Sequence, residues 1–379
     1  MDKFEKAQKI LKEINADGWL IICNEDSDIN SRYLLGVRSH ARHYIYLASN
    51  GNHKVLSVEY EASMIERSLK KKNVKCEVII YRSLKDLIKL LPPIVNKSRI
   101  ALNFGEKVLM EDGTPFADYI HAGDYFSLKE LSPNTEFISA APIIDGLRSV
   151  KSSEDLKDLR NVCKATIEIL EDIPEFAKIG MTEMEVRAKI EYEYIKVGSP
   201  AFESIVASGP HSADPHHNSS NKKIKPGVLL IDTGLQIDEM CSDLTWTFWV
   251  GKNPPEKFLQ TYHDLHESKK IANEYFTDGT PNYLPAKKCR ESLANKGYDH
   301  EKLFMHGLGH SLGFEAHDIG ARLSMSVPET YILKENMVYT NEPGLYWKNE
   351  WGIRLEDDVI IGKTKCEQVT YNPEDPVLI

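Results

Sequence analysis

The sequence lacks the features that mark membrane proteins, secreted proteins and nucleic-acid binders. No apolar run approaches the roughly 20 residues that a helix needs to cross a bilayer. The first fourteen residues, MDKFEKAQKILKEI, have the pattern of a charged amphipathic helix, which differs from that of a signal peptide. The formal net charge is −10, which argues against a basic surface for nucleic-acid phosphates. We therefore expect a soluble, cytoplasmic protein that binds neither membranes nor nucleic acid.

Cysteines in a metal-binding or disulfide-forming arrangement are also lacking. The six cysteines are scattered and none belongs to a CxxC pair, which favours reduced thiols over a disulfide framework or a thiolate zinc site. The remaining composition is that of an ordinary globular protein, with 41% hydrophobic and 27% charged residues. A chain of 379 residues is longer than one compact core usually serves, so we expect two domains.

The first part of the chain alternates between helical and strand patterns. Helical spacing of apolar residues occurs at 4–14, 60–72 and 85–91, and strand-like runs occur at 19–23, 44–49, 53–59, 76–81 and 99–104. This alternation predicts an α/β domain with a mixed central sheet.

A domain boundary is predicted near residues 145–153. The apolar residues from Ile143 predict a strand, and a short polar link follows it. Ser152 and Asp155 then have the spacing of a capping box at the start of a long helix. We therefore divide the chain into an N-terminal domain at 1–147 and a C-terminal domain at 148–379.

Two pairs of acidic residues interrupt apolar strand patterns in the C-terminal part. Asp232 and Asp243 flank a turn whose midpoint falls between Ile237 and Asp238. A symmetric hairpin would place these two carboxylates opposite each other, with Cβ atoms about 5 Å apart, although a bulge would shift that register.

The second pair of acids flanks a turn in the same way. Glu342 and Glu356 are equidistant from Asn349, in the turn WKNE. Each pair of facing carboxylates would cost about 3 kcal/mol at an effective dielectric near 20, before desolvation is counted. Protonation, pairing with an arginine or a bound cation could offset this cost. Since four carboxylates exceed what one metal with an open position needs, the pattern favours two metal ions.

Three histidines lie within thirteen residues, in the stretch 306-HGLGHSLGFEAHD-318. Gly307 and Gly309 argue against a helix, so the stretch is predicted to be a strand or loop. It is consistent with a glycine-rich wall that leaves room for a ligand. Any single histidine here could be a hydrogen-bonded core residue, but three beside four misplaced acids make that interpretation weak.

Taken together, these motifs resemble the pita-bread metallopeptidases, which include prolidase, aminopeptidase P and methionine aminopeptidase. The resemblance lies in the order and context of LLIDTG, CSDLTWTF, HGLGHSLG, NEPGLY and GIRLEDD. It extends upstream to NSRYLLG (30–36), LRSVKSSEDLKDLR (147–160) and FESIVASGPHSADPHH (202–217). It implies a creatinase/prolidase-like N-terminal domain and a pita-bread catalytic domain.

The resemblance also implies a metal-binding set of five residues, namely Asp232, Asp243, His310, Glu342 and Glu356. Asp232 would bind one ion, His310 and Glu342 the other, and Asp243 and Glu356 would bridge both. Oxygen-rich ligation with one imidazole suits Mn, Co, Fe or Zn. Two such ions would share a water and make hydroxide available near neutral pH.

Further residues are implied at the substrate side of this centre. The catalytic residues would be Glu356, His216, His306, His317 and Arg354. The substrate contacts would be His216, His317, Arg322 and Arg354. Glu356 would assist proton transfer, and a histidine would stabilise the oxyanion. The two arginines are candidate partners of a peptide carboxylate, although Arg322 could equally be an ordinary surface residue.

Three functions remain open at this point. The first is a Xaa-Pro dipeptidase acting on small proline-containing peptides, which the chain length and the two-domain layout favour. The alternative is an aminopeptidase P, which would accept longer peptides. Less favoured is a catalytically silent, creatinase-like binding protein, since all five ligand positions are intact. The resemblance also implies a homodimer.

Overall fold

The computed structural model describes residues 2–105, 117–326 and 329–379, which divide into two compact units, Met1–Arg148 and Ser149–Ile379. The helices of the first unit are α1 (Lys3–Glu13), α2 (Ile29–Leu35), α3 (Glu59–Lys71), α4 (Leu84–Leu90), α5 (Pro92–Val95), α6 (Ala122–Leu131) and α7 (Ala141–Arg148). Its strands are β1 (Gly18–Cys23), β2 (His43–Ala48), β3 (His53–Ser57), β4 (Cys76–Ile80), β5 (Arg99–Leu102) and β6 (Glu136–Ser139).

These strands form one mixed sheet in the order β4-β3-β2-β1-β5-β6. The pairs β3–β4, β1–β5 and β5–β6 are parallel, whereas β1–β2 and β2–β3 are antiparallel. Strand β1 is buried along its whole length, as expected for a central strand of a sheet covered on both faces. The predicted α/β architecture with a mixed sheet is confirmed.

The strand predicted from Ile143 onward is wrong, because this segment forms helix α7. Ile143, Ile144 and Leu147 are buried together, and their spacing places them on one face of a helix. A short apolar run does not by itself distinguish a buried strand from a buried helical face. The capping box of Ser152 and Asp155 is present as predicted and begins the next helix.

The second unit contains helices α8 (Ser153–Glu171), α9 (Ile173–Phe176), α10 (Glu183–Ile195), α11 (Glu256–Asn273), α12 (Tyr283–Asn295) and α13 (His300–Leu303), and a 3₁₀ turn at Gly209–Ala213. Its strands are β7 (Ser199–Pro200), β8 (Ile205–Ser208), β9 (Gly227–Thr233), β10 (Leu235–Ile237), β11 (Met240–Cys241), β12 (Leu244–Val250), β13 (Val338–Asn341), β14 (Gly344–Trp347), β15 (Trp351–Arg354), β16 (Asp357–Ile360) and β17 (Glu367–Gln368).

Small antiparallel sheets form the centre of the second unit. They have the strand orders β12-β9-β8, β11-β10-β7, β13-β16-β17 and β14-β15. One apolar cluster packs α8 and α10 against β9 and β12, and another packs α11 and α12 against β14 and β15. The helices therefore cover sheets whose inner faces carry the acidic residues predicted as ligands.

Among the helices that the structure describes, none is both long and apolar enough to cross a bilayer.

Candidate metal centre

Asp232 and Asp243 lie on one hairpin, but not directly opposite each other as predicted. Asp232 near the end of β9 pairs with Thr245 of β12. The predicted register is wrong because the turn is centred one residue later: Ile237 pairs with Met240, and Asp238 has a φ of 54°. Asp232 and Asp243 are consequently diagonal neighbours on the same face of the ribbon, since side chains alternate along a strand.

Gly234 explains why this hairpin is interrupted beside the two acids. A Cβ at Gly234 would lie 2.2 Å from the carbonyl oxygen of Ser242, so only glycine permits this approach. The ladder stops between Thr233 and Leu235, and Asp243 lies just before β12. The direction of the Asp243 side chain is thus set by its position just before β12, because Asp243 itself has no strand partner in the β9–β12 ladder.

Glu342 and Glu356 have the register that the symmetric turn predicts. Asn341 pairs with Asp357 on one side of them, and Gly344 pairs with Arg354 on the other. Both ladders have the register that sets Glu342 opposite Glu356, and Asn349 in the turn has a φ of 65°. The two acids thus occupy the short break between two hairpin segments, where backbone groups are not fully paired along the strands.

His310 directs one ring nitrogen at two of these acids. Its Nδ1 donates to the carbonyl of Ser311, so its Nε2 carries the lone pair. That Nε2 lies 3.6 Å from an oxygen of Asp243 and 3.5 Å from an oxygen of Glu342. Two ligand atoms of one metal ion are separated by about 3.3 Å when each bond is near 2 Å in tetrahedral geometry. The spacing is that of groups arranged around a cation.

The glycines of the histidine motif serve a different purpose from the one predicted. A Cβ at Gly309 would lie 2.1 Å from the carbonyl oxygen of Thr340, and one at Gly307 would lie 3.0 Å from that of Leu323. The glycines therefore admit neighbouring backbone, including that of β13, instead of leaving room for a ligand. His310 also donates its backbone N–H to the Thr340 hydroxyl, which ties the motif to β13.

The other two histidines of the motif occupy different positions around His310. The ring of His317 packs edge-on against that of His310, with centroids 4.1 Å apart. His306 donates from Nδ1 to the carbonyl of Gly307 and accepts at Nε2 from the hydroxyl of Tyr346. Both of its nitrogens are thus hydrogen-bonded within the protein, and its predicted contact with a substrate stays a prediction.

His216 and Arg322 are both exposed near the histidines. Burial is the main cause that lowers the pKa of His306, His310 and His317; among the smaller electrostatic causes, His216 acts on His306 and His317, and Arg322 acts on His310 and His317. The structure therefore brings both residues close to the predicted site, while their contacts with a substrate stay predictions.

Arg354 is buried and uses four of its five N–H groups inside the protein. Its Nη2 donates to Asp232 (2.5 Å), and its Nη1 donates to the hydroxyl of Tyr346 (3.0 Å) and to the carbonyl of Pro215 (3.2 Å). Its Nε donates to the hydroxyl of Thr245 (2.9 Å). The guanidinium therefore positions Asp232 and the loop that carries His216, and its predicted contact with a peptide carboxylate stays a prediction.

Three residues that support the acids were missed in the sequence. Thr245, opposite Asp232, donates its hydroxyl to Glu356 Oε2 at 2.6 Å. Tyr346 links His306 to Arg354. The carboxylate of Asp358 accepts from the backbone N–H of Asp243 at 3.1 Å. Strand alternation could have identified Thr245, which lies two residues after Asp243, but no local signal indicates the other two.

In the absence of a cation, acidic residues of this cluster have raised pKa values. Burial and then the neighbouring carboxylates raise the pKa of Asp243 and of Glu356 well above the ordinary range. Burial raises the pKa of Glu342 to about 8, against the opposing effect of Arg354. Burial also lowers the pKa of His310 to about 3, which keeps its imidazole neutral and able to bind a metal.

The predicted ligands fit a divalent metal. Ligand atoms of Asp243, His310 and Glu356 all lie within 4.8 Å of one another. Asp232 Oδ1 is buried without a hydrogen-bond partner, although its other oxygen is held by Arg354. A buried carboxylate oxygen without a partner is costly, and a cation would satisfy it. A divalent ion would likewise favour the ionised form of the carboxyl groups whose pKa values are raised.

Comparison with known proteins identifies the family. The chain belongs to metallopeptidase family M24, whose profile matches residues 157–363, and the creatinase/prolidase N-terminal domain matches residues 3–150. Over 254 residues the chain is 37% identical to a Xaa-Pro dipeptidase of Pyrococcus furiosus. The alignment covers 64% of this chain and 69% of the dipeptidase.

Solved structures agree with this assignment. An X-Pro aminopeptidase from Thermotoga maritima matches with a TM-score of 0.85 and 26% identity over 100% of both chains. The prolidase from Pyrococcus horikoshii matches with a TM-score of 0.82 and 28% identity over 98% of each chain. The predicted fold class, the resemblance and the prediction of a metallopeptidase are thereby confirmed.

Proposed function

We propose that this metallopeptidase is a Xaa-Pro dipeptidase with a dinuclear metal centre. The ligands would be Asp232, Asp243, His310, Glu342 and Glu356. The observation that carries this proposal is the convergence of buried carboxylates on the Nε2 of His310, together with their raised pKa values. The similarity to dipeptidases of two Pyrococcus species supports the substrate class.

The metal ions, when bound, would supply a hydroxide-like nucleophile near neutral pH and polarise the scissile carbonyl. The protein residues would then orient the substrate and move protons. The hydroxyl of Thr245 orients Glu356 by donating to its Oε2, and Glu356 is proposed to take the proton of the nucleophile. A prolyl leaving group is a secondary amine and must be protonated to depart, so Glu356 is proposed to return that proton.

Histidines would stabilise the oxyanion that develops on the carbonyl. Burial lowers the pKa of His317, so its ring is a neutral N–H donor at pH 7. His216 lies on the exposed side of the loop that Arg354 holds through Pro215. We propose that these two imidazoles face the substrate, whereas His306 orients Tyr346 and, through it, Arg354.

The competing function is that of an aminopeptidase P, which the match to the Thermotoga maritima enzyme over the full length of both chains favours. A substrate comparison decides between them. With Mn or Co added, the dipeptides Ala-Pro and Leu-Pro should be cleaved with a higher kcat/KM than Xaa-Pro-Yaa tripeptides. Equal or faster cleavage of the tripeptides would assign the chain to the aminopeptidases instead.

Metal analysis tests the catalytic proposal independently of the substrate. Two transition-metal equivalents per chain are expected at these ligands, and a silent binding protein would lack both. We further propose a cytoplasmic homodimer, which light scattering would test against twice the 43.1 kDa chain mass. A monomer at micromolar concentration would contradict the oligomeric part of this proposal alone.

A further inference from the structure

A second group of potential metal ligands lies in the C-terminal unit, on the loop that carries His216. Glu183 at the start of α10 faces His211 in the 3₁₀ turn and His217. His211 Nδ1 lies 2.8 Å from Glu183 Oε1, and His217 Nε2 lies 2.9 Å from Oε2. The two rings are tilted by 36° to each other, with centroids 4.2 Å apart. Each imidazole therefore directs one nitrogen at the same carboxylate.

The Glu183 carboxylate is buried and has more donors than it can accept. Its side chain is 0% exposed, and besides the two imidazoles it receives the backbone N–H of Ser208 and both the N–H and hydroxyl of Ser220. That gives five donors for about four lone-pair positions of an ionised carboxylate. The net effect of these groups, against the opposing effect of burial, is to lower the pKa of Glu183. The group is thus held ionised, with its three hydrogen bonds from the two serines in place.

A metal ion would relieve this excess of donors. If the imidazoles bound through Nδ1 of His211 and Nε2 of His217, their lone pairs and not their protons would face inward. Two imidazoles with one carboxylate form a donor set that holds Zn²⁺ and other divalent transition ions with a position left open. Ser208 and Ser220 would continue to hold the carboxylate, as outer hydrogen bonds do for ligands in metal sites.

We propose that Glu183, His211 and His217 form a third metal site, separate from the dinuclear centre, which takes a divalent transition ion such as Zn²⁺. The ion would connect the start of α10 to both ends of the loop that carries His216. The other side of this loop is already fixed, because Ser212 accepts from the backbone N–H of Gly352. A bound ion would therefore restrict the loop and the placement of His216.

The side chain of His211 is 29% exposed and that of His217 is 13% exposed. The site is therefore open to exchange with solvent, as expected for an ion that responds to metal supply.

Zinc stoichiometry of the full-length chain tests the site. After chelation and dialysis against Zn²⁺, the wild type should hold one equivalent more than a variant carrying His211→Gln and His217→Gln. Glutamine keeps a donor for Glu183 but removes the ring nitrogen. The matched control is His263→Gln, because His263 forms a single pair with Asp375 at 2.9 Å and offers no second imidazole. The control should bind as much zinc as the wild type.

The difference between wild type and variant isolates this site from the dinuclear centre. If the dinuclear proposal fails, both totals fall by the same number and the difference of one equivalent persists. Equal totals in wild type and double variant would overturn the third site.

Copper spectroscopy of the wild type avoids any risk that the variant fails to fold. One equivalent of Cu²⁺ added to the manganese-loaded chain should show electron paramagnetic resonance couplings from two imidazole nitrogens. The proposed dinuclear set contains one imidazole, so coupling to a single nitrogen or to none would count against the site.

Discussion

The metal-free protein should lose stability as the pH rises from about 6.5 to about 8. Burial raises the pKa of Glu342 to about 8 from an ordinary 4.5, so the folded chain keeps a proton that the unfolded chain has released. Unfolding is then accompanied by proton release, and the free energy of unfolding falls with increasing pH across this range.

The lower pH limit is set by the histidines, which act in the opposite direction. Burial lowers the pKa of His306 and of His310 to about 3, so the unfolded chain binds protons that the folded chain does not. Their effect makes the protein more stable as the pH rises; at their ordinary value of 6.5 only about 0.4 kcal/mol per histidine is still to come. Above that pH the larger contribution of the carboxyl groups therefore sets the direction of the change.

The size of the effect follows from the pKa of Glu342. Its full shift corresponds to about 5 kcal/mol, of which about 2 kcal/mol would be lost between pH 6.5 and 8. These are upper limits, since the side chain is 16% exposed and solvent reduces the shift. Asp243 and Glu356, whose pKa values are also raised, would add to the loss in the same direction.

Urea unfolding of chelator-treated protein, followed by tryptophan fluorescence, measures this dependence. Glu342→Gln removes the titrating group and should show a smaller loss than the wild type over the same pH range. Saturating Mn²⁺ should abolish the loss in the wild type, because the ion binds the ionised carboxylates. Constant or rising stability of the metal-free wild type between pH 6.5 and 8 would refute the reasoning.

Three substitutions test the supports of the centre. His310→Ala should abolish turnover and lower the bound metal measured by elemental analysis, while circular dichroism stays that of a folded chain; wild-type hydrolysis would refute the ligand role. Thr245→Val should destabilise the chain by about 1–3 kcal/mol in urea and reduce kcat, because Glu356 loses its hydrogen-bond donor. Thr245→Ser keeps the hydroxyl and should restore both stability and kcat. An unaffected valine variant would contradict this role of Thr245. Gly309→Ala should cost about 1–3 kcal/mol or more, because the new Cβ meets the carbonyl of Thr340; unchanged urea stability would show that β13 can move aside.

In the first unit, local patterns predicted α1, α3, α4 and strands β1 to β5, whereas α2, α5, α6 and β6 were not predicted. The strand prediction at 19–23 corresponds to β1 and the helix prediction at 4–14 to α1, each within one residue. The strand prediction for the segment after Ile143 failed because an apolar run can be buried in either a strand or a helix.

The two acidic hairpins show where register can and cannot be predicted from the sequence. In the second hairpin the ladders on both sides of Glu342 keep one register, so counting from Asn349 succeeds. In the first hairpin the count fails by one residue, because the centre of the turn depends on the φ of Asp238. Turn conformation sets register, and a sequence with several polar turn residues allows more than one centre.

The supports of the centre could not be predicted because they join distant parts of the chain. Arg354 reaches Asp232 across 122 positions, and Asp243 donates its backbone N–H to Asp358 across 115 positions. The sequence left three ways to offset the repulsion between the carboxylates: an arginine, protonation or a cation. The arginine and protonation each offset it for some of the four acids. Arg354 pairs with Asp232 alone, and its opposing effect leaves the pKa of Glu342 raised to about 8. One guanidinium therefore does not balance four carboxylates at neutral pH, and a divalent cation is the partner that the remaining acids need.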